Sequence, residues 1–204
     1  MIVIDNEKTE IFGWEAAIRG MRNPKNSWDQ MDSDFGPMVP ELGPKDLHLA
    51  EVLAKAGTDH GKYLRMITVY TDVTAPLYWW KEYDTYKVGT VADSCSTMHK
   101  IQSKEFVRED FSFEHLTERN LQMLDRIIEV LNDSRDAFNR NLQKDDWWQM
   151  IQMLPSSFNQ KRTILLNYAV LKNMYHSRKA HKLDEWRIFC QWIETLPYSQ
   201  LIIE

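Results

Sequence analysis

The polar side chains best suited to chemistry lie between Leu154-Pro155 and His181. Asn167 and Arg178 are eleven residues apart, and each helical residue turns by about 100°, so the two would share nearly one helix face, with Asn173 well off it. Amides can read the polar edge of a planar ring, and arginine can hold a phosphate by two parallel hydrogen bonds. The pattern therefore predicts either ligand recognition or a solvated polar face.

Two other places could take part in chemistry. His60 follows Ala56-Gly57-Thr58-Asp59, a position equally typical of a surface or capping histidine. The loop Ser94-Cys95-Ser96-Thr97-Met98-His99 offers hydroxyls and backbone N–H groups that suit an anion, or it is a plain connection. Cys95 would need a base beside it to act as a nucleophile, and His99 is four residues further on.

Several function classes are disfavoured. The sequence has no HExxH motif, and His176 and His181 have no carboxylate at the spacing of a helical metal site, so we expect no metal. It has no GxGxxG and no phosphate-loop motif. The net charge of −5, without any block of Lys and Arg, argues against a nucleic-acid partner.

Composition places the chain among globular proteins. Cys95 and Cys190 fit no disulfide framework, which favours a reducing compartment, and we expect a cytoplasmic protein. The N-terminal residues do not resemble a signal peptide, and apolar runs such as Ile164–Leu166 are too short to span a bilayer, so we expect no membrane association. Eight Trp, eight Tyr, eight Phe and ten Met predict a core, or a ligand pocket, rich in large flat groups.

The elements that must position these residues are mostly helical. Residues 1–43 give little regular signal beyond a short strand at Ile2 to Ile4. A helix opens at Pro44 and Gly57 follows its end, and alternation predicts a strand from Arg65 to Val73. A further helix begins with Thr74 as N-cap and Pro76 in its first turn.

The second half of the chain is nearly all helix. After a Ser- and Thr-rich loop at 90–100, helices are predicted from Ser112 to about Asn139, from Asp145 to Met153, from Lys161 to about Ala180 and from Asp184 to Thr195. These patterns indicate one mostly helical α+β domain spanning residues 1–204, with an irregular segment at 1–43.

The order of these pieces resembles the flavin-dependent thymidylate synthases, the ThyX family. A Gly and a His precede a strand, and then come Ala75-Pro76, an aromatic helix, a Ser-bearing loop, a long helix, Leu-Pro, and a segment bearing Asn, Asn and Arg. The resemblance covers about residues 57–186 and is strongest over 154–181. It implies the ThyX fold, with a small antiparallel sheet.

The resemblance assigns two sets of site residues, with no protein nucleophile and with Arg178 and Ser96 as positioning residues. Ser96 resembles the serine of the family's Ser-x-Arg-Tyr element, which holds the dUMP phosphate. Lys182 is the alternative to His181, and Tyr78, Trp79 and Trp80 form either the pocket wall or core packing. The implied cofactor-binding residues are His60, Lys87, Asn167, Asn173 and His181, and the implied substrate-binding residues are Glu82, Asp93, Ser96 and Arg178.

The implied reaction transfers a one-carbon unit from methylenetetrahydrofolate to dUMP, with FAD as cofactor and NADPH as reductant, in a homotetramer. This chain departs from the family pattern where Thr85-Tyr86-Lys87-Val88-Gly89-Thr90 replaces Arg-His-Arg-x-x-Ser. Ala92-Asp93 replaces Asn-Glu, and Met98 replaces the arginine of Ser-x-Arg-Tyr. The alternatives are a related pyrimidine-deoxynucleotide-modifying enzyme, a nucleotide-binding homo-oligomer without flavin chemistry, and an unrelated helical scaffold for partner binding.

Overall fold

The structure, a computed structural model, describes residues 1–36 and 40–204. Its strands form one antiparallel sheet in the order β1-β2-β4-β3. The strands are β1 (Val3–Phe12), β2 (Thr68–Pro76), β3 (Val91–Ser94) and β4 (Asn159–Asn167). The helices are α1 (Trp14–Arg22), α2 (Pro44–Lys55), α3 (Leu77–Tyr83), α4 (Glu118–Asn141), α5 (Lys144–Met153), α6 (Tyr168–Arg178), α7 (Asp184–Glu194) and α8 (Gln200–Ile203). The predicted fold class, mostly helical α+β with a small antiparallel sheet, is confirmed.

The chain divides into two compact units. The first comprises residues 1–3, 73–85 and 93–162, and the second comprises residues 4–72, 86–92 and 163–204. That residues 1–204 form a single domain stays a prediction. Within the described ranges, no helix is both long and apolar enough to cross a membrane.

The core of the first unit is built where α4 packs on α5. Leu124, Ile128 and Leu131 of α4 and Met150 of α5 are buried in one cluster. Their spacing along α4 is the apolar stripe that an amphipathic helix turns toward a core. On α3, Trp79, Trp80 and Tyr83 are also buried, at most 1% exposed, so these aromatic rings are packed as core residues.

In the second unit, a buried ion pair joins α1 to α2. Arg22 Nε donates to Asp46 Oδ1 at 2.6 Å, and both side chains are almost fully buried. The other carboxylate oxygen of Asp46 accepts from the backbone N–H of Asp32 and from the hydroxyl and N–H of Ser33. Burial by itself would raise the pKa of Asp46, but these hydrogen bonds and the charge of Arg22 lower it.

The predicted irregular segment at 1–43 is wrong, because this stretch contains β1 and α1. Most residues of β1 are exposed or half-buried, and it lies at the edge of the sheet. An edge strand buries little, so it need not show the alternation of apolar and polar residues by which a strand is recognised.

The predicted helix from Lys161 was also wrong in its first part. Residues 159–167 form β4, in which Ile164 and Leu166 are buried and Thr163 is exposed, which is the period of a strand. The helix α6 begins only at Tyr168. The predicted polar loop at 90–100 likewise contains a short strand, β3.

The predicted starts of two helices and one strand shift. Ser112 does not cap α4, because its hydroxyl donates to Asn159 Oδ1 and α4 begins at Glu118. The strand β2 begins at Thr68 rather than Arg65 and continues through Pro76. Thr74 therefore lies within β2 and α3 starts at Leu77. The predictions for α2, α5 and α7 are confirmed to within one residue at their starts.

Candidate functional site

A cavity of about 750 Å³ lies in the second unit. One wall is a face of α6, formed by Ala169, Lys172, Asn173 and His176, whose spacing of three, four and seven residues from Ala169 places them together. The volume is within the range of roughly 300–1,000 Å³ that is typical of small-molecule sites. The remaining lining comes from the end of α2, from residues within 57–65, and from Asn167, Val170, Glu204 and the segment Val88-Gly89.

Asn167 is the N-cap of α6. Its Oδ1 accepts from the backbone N–H of Val170 at 2.9 Å, which satisfies one of the free donors at the start of the helix. The Nδ2 group lies against Gly89, since a Cβ built on Gly89 would be 2.5 Å from it. Gly89 has φ of +80°, a conformation that favours glycine. The amide of Asn167 is thus oriented with its donor side toward the segment Val88-Gly89.

Asn173 lies six residues further along the chain, on the cavity-lining face of α6. Its side chain is exposed, and its Oδ1 accepts from the hydroxyl of Ser177 at 3.4 Å. An amide on a cavity wall can both donate to and accept from the edge of a planar ring. The structure therefore brings the two asparagines of the sequence prediction into one cavity.

The charged groups of the cavity favour an anionic ligand. Lys55, Arg65 and Lys172 line it, against one described carboxylate, that of Glu204. The Nζ of Lys55 is 2.6 Å from Oε2 of Glu204. The Nζ of Lys172 is buried and has no hydrogen-bond partner within residues 1–36 and 40–204.

Burial lowers the pKa of two cavity groups. The pKa of Lys172 falls below its ordinary value because burial disfavours the charged form, and the charge of Lys55 acts in the same direction. The pKa of His176 is lowered by burial and then by the charges of Lys172 and Lys179. The lowered pKa of His176 favours its neutral imidazole, so the positive charge of the cavity comes from its Lys and Arg residues.

Arg178 lies on a different face of α6 from the cavity-lining residues. The prediction that it shares a helix face with Asn167 is therefore wrong, because Asn167 is the N-cap with an extended backbone and not a residue of the helix. Its Nε donates to the Tyr86 hydroxyl at 2.9 Å. Its guanidinium carbon is 5.5 Å from the centre of the Tyr86 ring and 4.9 Å from that of the buried Trp186 ring. Cation–π contacts with two rings fix the plane of the guanidinium. Arg178 does not line the cavity.

Two of the other predicted cofactor residues are adjacent in sequence to residues that line the cavity. The third, His181, lies near the Trp186 ring that Arg178 contacts. His60 and Lys87 are exposed and directly precede the lining residues Gly61 and Val88. The His181 ring lies 6.4 Å from that of Trp186, and its Nδ1 accepts from the backbone N–H of Leu183. Lys182, the alternative, is exposed.

The predicted substrate residues other than Arg178 belong to the first unit. Glu82 is partly buried on α3, and Asp93 is exposed in β3. The Oγ of Ser96 accepts from the backbone N–H groups of Met98 and His99 and lies 2.9 Å from His99 Nδ1. Because both lone pairs of Oγ are engaged, its own proton is the one shared with His99.

The thiols differ in exposure. Cys95 is exposed beside Ser96, whereas Cys190 is buried on α7. Burial raises the pKa of Cys190 to about 11, and the charge of Glu194 contributes in the same direction. The hydrogen bond of His99 goes to Ser96, so the structure pairs this histidine with the serine and not with the thiol.

Sequence reasoning missed Lys55, Arg65, Lys172 and Glu204. The signal for Lys172 was present, since residues three, four and seven positions after Ala169 share a helix face with it. No such signal existed for the others, because they come from separate parts of the chain. Across the described ranges, no group of three or more His, Cys, Asp and Glu residues could hold a metal ion.

Comparison with known proteins bears on the fold. No protein-family model and no curated protein matches the chain. Two similar solved structures are of the flavin-dependent thymidylate synthase ThyX from Helicobacter pylori, each with FAD and dUMP. Each superposes with a TM-score of 0.69 at 16% sequence identity, over 99% of this chain and 96% or 95% of the other. At this identity the likeness shows the fold, which is ThyX-like.

Proposed function

We propose that this chain is a flavin-dependent enzyme of the thymidylate synthase type, acting on a pyrimidine deoxynucleotide. The observation that carries the proposal is the second-unit cavity, which contains both Asn167 and Asn173 in a chain with a ThyX-like fold. These are the two asparagines that the sequence resemblance assigns to FAD. The solved ThyX structures with this fold were determined with FAD and dUMP, which supports the same pair of ligands here.

The residues of the cavity fit a flavin nucleotide. Its volume of about 750 Å³ suits a large cofactor, and much of its lining is apolar, as a planar ring requires. Asn173 offers an amide for a ring edge, and the buried Nζ of Lys172 offers a positive charge for a phosphate. FAD, when bound, supplies hydride transfer.

The residues of the chain then act by positioning. The Nδ2 of Asn167, held by the helix cap, donates toward a ligand beside the segment Val88-Gly89. Arg178, oriented by Tyr86 and Trp186, is proposed to bind the nucleotide phosphate. Ser96 as a phosphate contact, and Glu82 and Asp93 as base contacts, are carried over from the family resemblance alone. Such fixed groups lower a barrier by holding reactants together.

The complete reaction that we propose uses methylenetetrahydrofolate as one-carbon donor, dUMP as acceptor and NADPH as reductant, in a cytoplasmic homotetramer. His60, Lys87 and His181 complete the cofactor contacts, with Lys182 as the alternative to His181. A close variant would place a different one-carbon group on a pyrimidine deoxynucleotide.

A second candidate is a nucleotide-binding homo-oligomer without flavin chemistry. Arg178 already donates its Nε to Tyr86, a residue that stands within the stretch where the family has Arg-His-Arg. An arginine so engaged has fewer donors for a ligand. This candidate retains the nucleotide and loses FAD.

The visible absorption spectrum of the purified protein separates the two candidates. For the enzyme, added FAD gives a bound flavin band, and added dUMP then shifts that band because the proposed reaction requires the nucleotide base to lie against the flavin ring. Absence of FAD uptake combined with dUMP binding would support the second candidate. Release of tritium from C5-labelled dUMP that requires both reduced flavin and methylenetetrahydrofolate would show that the C5 hydrogen is lost, as substitution by a one-carbon unit demands.

A further inference from the structure

Lys172 has an uncompensated charge on the cavity wall. Its Nζ is shielded from solvent and has no hydrogen-bond partner in the part of the chain that the structure describes. Burying an ammonium group without a partner costs stability, so proteins rarely keep one without a compensating anion. The side chain lies on the cavity-lining face of α6. An anion in the cavity would supply the missing partner.

The described carboxylate that lines the cavity, that of Glu204, already forms an ion pair. Glu204 lines the same cavity, but its Oε2 is 2.6 Å from the Nζ of Lys55. Burial and the charge of Lys55 each lower the pKa of Lys172 by more than the charge of Glu204 raises it. The pKa of Lys172 is therefore below its ordinary value, which means that nearby negative charge does not offset the cost of burying its ammonium.

We propose that Lys172 and Lys55 form a phosphate-binding subsite in this cavity, with Glu204 as the internal competitor for Lys55. Among the described residues, no hydrogen bond holds the Lys172 ammonium, so it can turn toward a phosphate oxygen without breaking one. The identity of the ligand as FAD rests on the proposed function, whereas the subsite itself requires only a phosphate group.

The test compares three probes on two variants by isothermal titration calorimetry. Lys172→Met removes the ammonium and keeps a flexible side chain of similar length. Lys179→Met is the matched control, because Lys179 follows the same helix and does not line the cavity. The probes are FAD, riboflavin, which has no phosphate, and inorganic pyrophosphate.

We expect Lys172→Met to weaken FAD and pyrophosphate binding by about 10- to 100-fold, as for loss of a charge-assisted contact. Riboflavin affinity should not change, and Lys172→Arg should restore part of the FAD affinity. The melting temperature of Lys172→Met should be equal to or above that of the parent, because an unpartnered buried charge is removed. A merely structural lysine would lower it.

The outcomes distinguish this proposal from the proposed function. If pyrophosphate binds and Lys172→Met abolishes that binding while no flavin binds, the subsite stands and the flavin assignment fails. If FAD binds equally to the parent and to Lys172→Met, the flavin assignment stands and the subsite is refuted. Failure of pyrophosphate to bind the parent would also refute the subsite.

Glu204→Gln provides an independent readout with the opposite sign. It releases Lys55 from its ion pair, so pyrophosphate affinity should rise by about 2- to 5-fold, the range expected for an exposed pair. An unchanged or weaker affinity would mean that Glu204 does not compete with the ligand.

Discussion

Gly89 controls how closely the segment 86–92 approaches the Asn167 amide. The Gly89→Ala substitution places a Cβ 2.5 Å from Asn167 Nδ2 and is strained at φ of +80°. We expect a loss of about 1–2 kcal/mol in stability from the backbone conformation. FAD affinity should fall by about 10-fold or more, since the displaced amide loses its orientation. Equilibrium unfolding and flavin titration measure the two effects.

Gly57→Ala is the matched control for this experiment. Gly57 also has positive φ, +98°, and lines the same cavity, but an added Cβ meets no atom within 4 Å. It should show a similar loss of stability with a much smaller loss of FAD affinity. Equal losses of affinity in both variants would show that backbone strain, rather than the contact with Asn167, decides binding.

At the scale of residues, the sequence located the asparagines better than the charges. The family resemblance assigned Asn167 and Asn173 to one ligand, whereas helical spacing placed Asn167 with Arg178 and Asn173 off that face, because it treated Asn167, the N-cap of α6, as a helical residue. The place of Lys172 on the cavity face of α6 could have been predicted from spacing, but its lack of a hydrogen-bond partner within the described residues could not, because that depends on which groups reach the ammonium in three dimensions. The engagement of Arg178 by Tyr86 likewise depends on residues 92 positions apart.

Among the secondary-structure elements, the start of α6 has two roles, because Asn167 both caps the helix and lines the cavity. Asn167→Ala removes the cap and should cost about 1 kcal/mol of stability. Asn167→Asp keeps the capping oxygen and loses the Nδ2 donor, so it should retain stability while weakening FAD binding. Thermal unfolding and flavin titration of both variants make the comparison. If Asn167→Asp bound FAD as well as the parent, Asn167 would serve only as a cap.

Helices with clear end signals were predicted well, whereas among the strands β2 was predicted with shifted ends and β3 and β4 were missed. Pro44 and Gly57 bound α2 on either side, and these signals are local. In β4 (Asn159–Asn167) the exposed positions are polar and the helix α6 follows directly, so the sequence pattern resembles one continuous helix. Whether residues 159–167 form a strand or a helix depends on pairing with β2 and β3, and the sequence does not reveal that pairing.

For the whole molecule, resistance to acid should depend on Asp46. Its pKa in the folded protein is below the ordinary 3.8, so its contribution to stability is complete above that value and is lost as pH falls through the lower folded pKa. Asp46→Asn leaves Arg22 buried without its counter-charge and should cost about 3 kcal/mol or more near neutral pH. Urea unfolding from pH 7 to pH 2 measures both.

The difference in stability between parent and Asp46→Asn should narrow below pH 4, because the parent then loses the same charge. A constant difference across this range would show that Asp46 acts through packing and hydrogen bonds alone. Asp29→Asn, at an exposed position of the preceding segment, is the control and should unfold as the parent does at every pH.

The fold class was readable from the proportions of helix and strand signal, whereas the arrangement was not. The sheet order β1-β2-β4-β3 pairs strands far apart in sequence, and such pairings leave no local trace. The cavity has the same origin, since it combines α2, α6, the segment Val88-Gly89 and Glu204.

The unequal exposure of the thiols makes the native protein a ready substrate for single-site chemical labelling. A maleimide reacts with a thiolate, and Cys190 is both buried and shifted to a pKa of about 11, so Cys95 should take up the reagent alone. A fluorophore placed there would be next to Ser96, without any cysteine having to be introduced or removed. Its emission could follow nucleotide addition in real time.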